Sequence, residues 1–434
     1  MLSGVIDRAM NERPAATDVS AEQPVSDGLA SEDVGGRSNP ENARSRPDAE
    51  DAGEQSDAPQ SDHPPTALLV VGTRPELIKM APVSRALSDA GWDVRLVHTG
   101  QHYDETLSGA FLDTLDLPTP EANLGVGSGT HAAQTARTVV GVDRHLQRAP
   151  TVVLAQGDTN AVLGTALAAA KTSVPFAHVE AGLRSGDPGM PEEVNRVVAD
   201  HLADVLFAPT DAAREQLRRE GVAGDVHVTG NTVVDACLGH RTVAERESSA
   251  LAEHGLSADE FVLATIHRPR NTDDHARLRR IVAALDGAPF PVVLPAHPRT
   301  RRALAAAGVH PSAALRVIEP LDYLDFLRLL DTARVVVTDS GGVQEEASVL
   351  ETPCLTVRPH TERPETVAAG VNELVSPAAL AGRLRTVFAR DADTMVGATD
   401  CYGDGRAGDR IAAILSGRFG VQTPGRESAP EANG

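Results

Sequence analysis

Lysine is nearly missing from this chain of 434 residues: Lys79 and Lys171 are the only two among 40 basic residues, and the rest are arginine. Aromatic residues make up 3% of it, there are three cysteines, and no uninterrupted apolar run approaches the length that spans a bilayer. Cys237, Cys354 and Cys401 are widely spaced and form no CxxC pair, which argues against a zinc knuckle or a disulfide framework and fits a reducing compartment. The N-terminal MLSGVIDRAMNERP lacks the apolar region of a signal peptide, so the chain is expected in the cytoplasm. Positive charge is also short. A formal net charge of -21 and a pI near 5.1 argue against a nucleic-acid partner, because neutralising a phosphate backbone needs a broad basic face. An anionic ligand must instead meet a focused local site. The acidic, lysine-poor composition fits a high-salt cytoplasm, and a GC-rich genome favours the same residues.

A hydrophobic content of 41% is enough to fill two separate cores. Residues 1–66 hold no aromatic side chain and are dominated by Ser, Pro, Gly, Ala, Asp and Glu, so they are expected to be a disordered acidic tail. Residues 419–434 read the same way. Between the tails, short Val- and Leu-rich runs alternate with helical patterns: ALLVVGT, VRLVHTG, TVVLAQGD, FAHVEAG, VLFAPT and VHVTGN. The series then restarts with FVLATIH, PVVLPAH, LRVIEP, VVVTDSGG and PCLTVRP. Continuous apolar strands that alternate with helices indicate buried parallel strands, so the expected fold is α/β with two Rossmann-like domains. We place them at residues 67–235 and 236–400, followed by a helix over 401–418 that returns to the first domain.

Polar residues and glycines collect at the carboxyl ends of these runs, where open parallel sheets bind ligands. In GTRPELIKMAPV, Thr73 reads as an N-cap and Pro75 as a first-turn residue, an ordinary helix start; Arg74 and Lys79 add cations at an end that already favours anions. In TDSGGVQEEA, the glycines after Ser340 let backbone N–H groups approach a diphosphate, and Glu346 lies one turn further on, able to accept ribose hydroxyls; the alternative is a generic glycine turn. Asp158 and Glu180 emerge from successive strands and suit proton abstraction and return, although Asp158 also reads as a helix N-cap. Glu192 and Arg196 stand at i,i+4, the spacing of a surface ion pair. His267 and His297 each end an apolar strand, where capping or packing is the common role, and Arg363 in HTERPE reads as a phosphate contact or a surface loop.

Taken in order, GTRPELIKMAPV, TGQH, QGDTNAV, HVEAGLRSG, PEEVNR, TGNTVVDA, HRxxN, DSGGVQEEA and TERPE resemble the non-hydrolysing UDP-N-acetylglucosamine 2-epimerase family over residues 67 to about 375. The resemblance implies the GT-B arrangement, two domains facing across a cleft, in a homodimer. It implies interconversion of UDP-GlcNAc and UDP-ManNAc through elimination to a 2-acetamidoglucal and re-addition, with no redox cofactor or metal, to supply UDP-ManNAc for surface polysaccharide or glycoprotein glycans. It puts Asp158, Glu180, Glu192 and His267 on catalytic positions. Arg74, Lys79, Arg196, His297, Phe326, Ser340, Gly341, Gly342, Glu346 and Arg363 fall on substrate positions. Two departures stand out. Arg270 replaces an acid in the HRxxN stretch, and Tyr103, Asp104 and Glu105 follow TGQH in place of a more basic run, near which members can bind a second, activating UDP-GlcNAc. A hydrolysing relative, a glycosyltransferase and a non-catalytic sugar-nucleotide sensor are the competing readings, and the full set of acids favours the epimerase.

Overall fold

Thirteen strands form two parallel sheets among the residues that the computed structural model describes, 64–101, 109–389 and 400–421. Most of the expected acidic tail, the residues after TGQH and most of the C-terminal tail lie outside these ranges. The first sheet contains β1 (Thr66–Val71), β2 (Asp93–His98), β3 (Ala122–Asn123), β4 (Val152–Gln156), β5 (Phe176–Val179), β6 (Val205–Ala208) and β7 (Asp225–Val228), in the order β3-β2-β1-β4-β5-β6-β7. The second contains β8 (Val262–Thr265), β9 (Val292–Pro295), β10 (Leu315–Ile318), β11 (Val335–Thr338), β12 (Cys354–Thr356) and β13 (Asn372–Leu374), in the order β10-β9-β8-β11-β12-β13. Both are doubly wound Rossmann-like sheets. In each the strand order reverses once, between β1 and β4 and between β8 and β11, and such switch points open ligand crevices at the strands' carboxyl ends.

The apolar runs become strands because burial on both faces suits them: Ala67 through Val71 and Val152 through Ala155 are all buried. Strand β1 also takes in Thr66, one residue earlier than the sequence expectation, because Thr151 Oγ1 accepts its N–H at 3.0 Å. The short strands β3 and β13 went unread, since neither carries a continuous apolar run. A shared core passes from Leu69, Leu77 and Met80 through Val233 and Cys237 to Phe261, Leu327 and Val336. The chain crosses to the second domain just after β7, through Gly230 (φ 89°) and Asn231, whose side chain caps the helix Thr232–Glu247 by accepting the Val233 N–H at 3.0 Å.

The C-terminal stretch forms a short 3-10 turn at Asp400–Tyr402 and then the helix Ala407–Arg418, which lies on the first domain. Asp235 accepts the backbone N–H groups of Ala407 and Gly408 at 3.2 and 2.8 Å, and Trp92 Nε1 donates to Ser416 Oγ at 3.0 Å. A Cβ at Gly408 would lie 2.7 Å from the Pro82 carbonyl oxygen, so only glycine allows this approach. Among the described residues, no helix is long and apolar enough to cross a membrane.

Candidate active site

A cleft of about 460 Å³ opens where the two switch points meet, a volume suited to a small-molecule ligand. On its first-domain side, Gly72 follows β1, and a Cβ there would meet Gln101 Oε1 at 2.6 Å. Thr73 caps the helix Arg74–Asp89, as its position in the sequence suggests. The Glu76 carboxylate accepts the N–H groups of Gly72 at 2.5 Å and Thr73 at 2.7 Å, and the Thr159 hydroxyl at 2.7 Å. Burial pushes this carboxyl up to about 7, against the pull of those hydrogen bonds. The anion site of this helix end is thus filled by the protein's own side chain. On the second-domain side the helix Gly341–Val349 begins differently: Ser340 makes no side-chain cap bond, and space is open beside both Gly341 and Gly342. That end is the one free to approach a diphosphate.

Four buried charges meet at the seam between the domains. Lys79 Nζ lies 2.7 Å from Glu180 Oε2 and 2.8 Å from Glu345 Oε2, while Arg363 reaches Glu180 Oε1 at 2.9 Å and also bonds Glu345. Gln156 donates to Glu180, and Asn231 donates to Glu345 at 3.0 Å. Burial disfavours an ionised Glu180, but Lys79 and Arg363 outweigh it and hold this carboxyl below its ordinary value. Burial likewise opposes the Lys79 charge, and Glu180 and Glu345 more than restore it.

Glu180 follows β5 with φ 68°, a left-handed conformation that costs a non-glycine residue about 1–3 kcal/mol and collects at functional sites. The backbone on both sides of it is clamped. His178 Nδ1 lies 2.7 Å from Asp200, whose other oxygen accepts the Gly182 N–H at 3.1 Å, and Arg184 pairs with the same buried carboxylate at 2.7 Å. Asp158 is not the helix cap. Thr159 takes that place by accepting the Ala161 N–H at 3.1 Å, and Asp158 Oδ2 accepts two Arg196 hydrogen bonds at 2.6 and 3.0 Å. Arg196 also pairs with Glu193 rather than with Glu192, which corrects the i,i+4 reading.

Arg74, Lys79, Asp158, Glu180, Arg196, Phe326, Ser340, Gly341, Gly342, Glu346 and Arg363 all line the cleft. Glu346 is half-buried, and burial, offset in part by Lys79, pushes its carboxyl up to about 7. Glu192, His267 and His297 are not in the cleft wall. His297 is exposed and caps the helix Pro298–Ala306, its Nδ1 accepting the Arg299 N–H at 3.2 Å. His267 is exposed beside buried Asp339, 3.1 Å from Nδ1 to Oδ1, so an acid does accompany it although Arg270 has replaced the motif's own. Asp339 further accepts the N–H of Arg268 at 3.0 Å and the Asn271 amide at 2.9 Å. Sequence reasoning missed Glu76, Gln156, Asn231, Glu345 and Glu362, whereas Asp339 stands with the polar residues that end the apolar runs. Glu362 pairs with Arg358 at 2.8 Å; burial opposes its charge, and Arg358 wins and pulls it down to about 2.

A family model described as UDP-N-acetylglucosamine 2-epimerase matches residues 85–416. The UDP-N-acetylglucosamine 2-epimerase of Methanocaldococcus jannaschii is 41% identical over 367 residues, 80% of this chain and 98% of the relative. A UDP-2,3-diacetamido-2,3-dideoxy-D-glucuronate 2-epimerase of Pseudomonas aeruginosa is 41% identical over 363 residues, 80% of this chain and 99% of the relative. A crystal structure of the M. jannaschii enzyme in complex with UDP-GlcNAc and UDP matches with a TM-score of 0.75 at 40% identity, covering 81% of this chain and 99% of that one.

Proposed function

The chain belongs to the UDP-N-acetylglucosamine 2-epimerase family, and from that premise we propose that it interconverts UDP-GlcNAc and UDP-ManNAc by elimination and re-addition of UDP. The observation that carries this reading is the division of the cleft: acids at the ends of β4 and β5 on one side, an open helix N-terminus on the other. No carbonyl neighbours C2 of the sugar, so deprotonation alone gives an unstabilised carbanion. Loss of UDP must accompany it. Glu180, held ionised by Lys79 and Arg363, takes the C2 proton; the C1–O electron pair leaves with UDP, and a C1=C2 double bond forms. Asp158, set by Arg196, takes up a proton from solvent while the glucal is bound and delivers it to C2 from the opposite face as the UDP oxygen re-forms the bond to C1; Glu180 gives its proton back to solvent.

The departing diphosphate gains charge, which the free N–H groups of residues 341–343 stabilise; each preorganised donor of this kind contributes roughly 3 to 4 kcal/mol. Glu346 accepts the ribose hydroxyls, and Phe326 packs on the nucleoside. The equal identity to the diacetamidoglucuronate epimerase favours a second substrate reading, in which the same C2 chemistry acts on a sugar with altered C3 and C6 groups. Proton NMR of the purified protein with each UDP-sugar in parallel separates these readings. We expect the manno epimer from UDP-GlcNAc with no net release of UDP. Stoichiometric UDP with free ManNAc means hydrolysis instead, and turnover of the diacetamidoglucuronate alone reassigns the substrate.

A further inference from the structure

Lys79, Glu180, Arg363 and Glu345 close a ring of alternating charge: each cation touches both carboxylates and each carboxylate touches both cations. Lys79 and Glu180 belong to the first domain, Glu345 and Arg363 to the second, so the ring exists only while the cleft faces meet. Glu345 is fully buried and next in sequence to Glu346, which lines the cleft. Consecutive helical residues point in different directions, which turns Glu345 toward the seam and leaves Glu346 to the ligand. A buried carboxylate is costly to desolvate and contributes little net stability even when paired, so its place beside a reacting group calls for another reason.

We infer that Glu345 is a positioning residue that sets the basicity of Glu180 by sharing Lys79 and Arg363 with it. This rests on Glu180 being the group that takes the C2 proton. With Glu345 ionised, the ring sums to zero charge and each cation divides its attraction between two carboxylates. Without that charge, both cations act on Glu180 alone. Its ionised form is then over-stabilised, and it accepts a proton less readily. The other titratable or charged groups facing Glu180 are Arg196 and His178, and those near Glu345 are Glu346, Cys237 and Tyr402. Asn231 ties the ring to the crossing between the domains, because it donates to Glu345 while capping the helix Thr232–Glu247.

The test is the pH dependence of kcat and KM for the full chain and three variants. Glu345→Gln should lower kcat about tenfold or more, leave KM within about threefold, and move the acid limb of kcat down by about one pH unit. Glu345→Asp keeps the charge and should keep the limb, recovering most of the loss. Asn231→Asp keeps an N-cap acceptor and adds a negative charge at the ring, so it should move the limb upward, and it decides the matter if Glu345→Gln does not fold. An acid limb that ignores both charge changes, or a Glu345→Gln effect confined to KM, overturns the role of Glu345. Wild-type enzyme that leaves the C2 proton unexchanged overturns the proposed function itself.

Discussion

The Lys79 ammonium sits between two carboxylates at 2.7 and 2.8 Å, a buried space that suits a compact cation. Arginine, which has displaced lysine almost everywhere else in this chain, brings a longer, planar fork that cannot satisfy both contacts without moving the Arg363 side chain alongside. Lys79→Arg should therefore cost roughly 3 kcal/mol, about a hundredfold in kcat, although it conserves charge. Exposed Lys171 is the control, and Lys171→Arg should leave turnover unchanged under the same salt. Equal behaviour of the two variants in a steady-state assay contradicts the assignment. The sequence shows this lysine because it follows a strand-end glycine on a helix, and it shows Asp158 and Glu180 because each ends an apolar run. Glu345 was not legible. Two adjacent acids in QEE do not reveal which one faces a ligand and which a seam, since that depends on the opposite domain. The same holds for Glu192 and Glu193: both follow a helix start, and only packing shows that Glu193 meets Arg196.

The strands were the most legible elements, because continuous apolar runs of four or more residues fit a parallel sheet covered on both faces. Strands β3 and β13, of two and three residues, were invisible because their backbones pair at sheet edges without needing apolar side chains. The C-terminal helix Ala407–Arg418 was read as an element, but its dependence on Asp235 and Trp92 comes from tertiary contacts. It buries Ile411, Ala412 and Leu415 against the shared core. A chain ending at residue 399 exposes that surface, and the loss of two large aliphatic side chains plus smaller contacts should cost on the order of 5 kcal/mol. The single tryptophan reports it directly. Trp92 emission should shift to longer wavelength and the Tm should fall by several degrees, whereas an unchanged Tm and spectrum would mean that the helix adds nothing to the first domain.

At the scale of the molecule, two sheets with the same winding bring their switch points together, and one cleft gathers groups separated by almost three hundred residues in sequence. That convergence follows from topology: a doubly wound sheet sends its polar strand-end residues to one edge, and two such edges can face each other. On the proposed reading the first domain contributes acids for the sugar and the second an open helix end for the leaving diphosphate, with the charge ring of Lys79, Glu180, Glu345 and Arg363 at the seam between them. Each catalytic assignment depends on a C2 proton that leaves the substrate and is replaced from the opposite face. Incubation of UDP-GlcNAc with the enzyme in deuterated water, followed by NMR of the recovered sugars, measures this directly. The account predicts deuterium at C2 of the UDP-ManNAc formed and, as reversal proceeds, of the remaining UDP-GlcNAc. Epimer that forms with its original hydrogen still at C2 contradicts it.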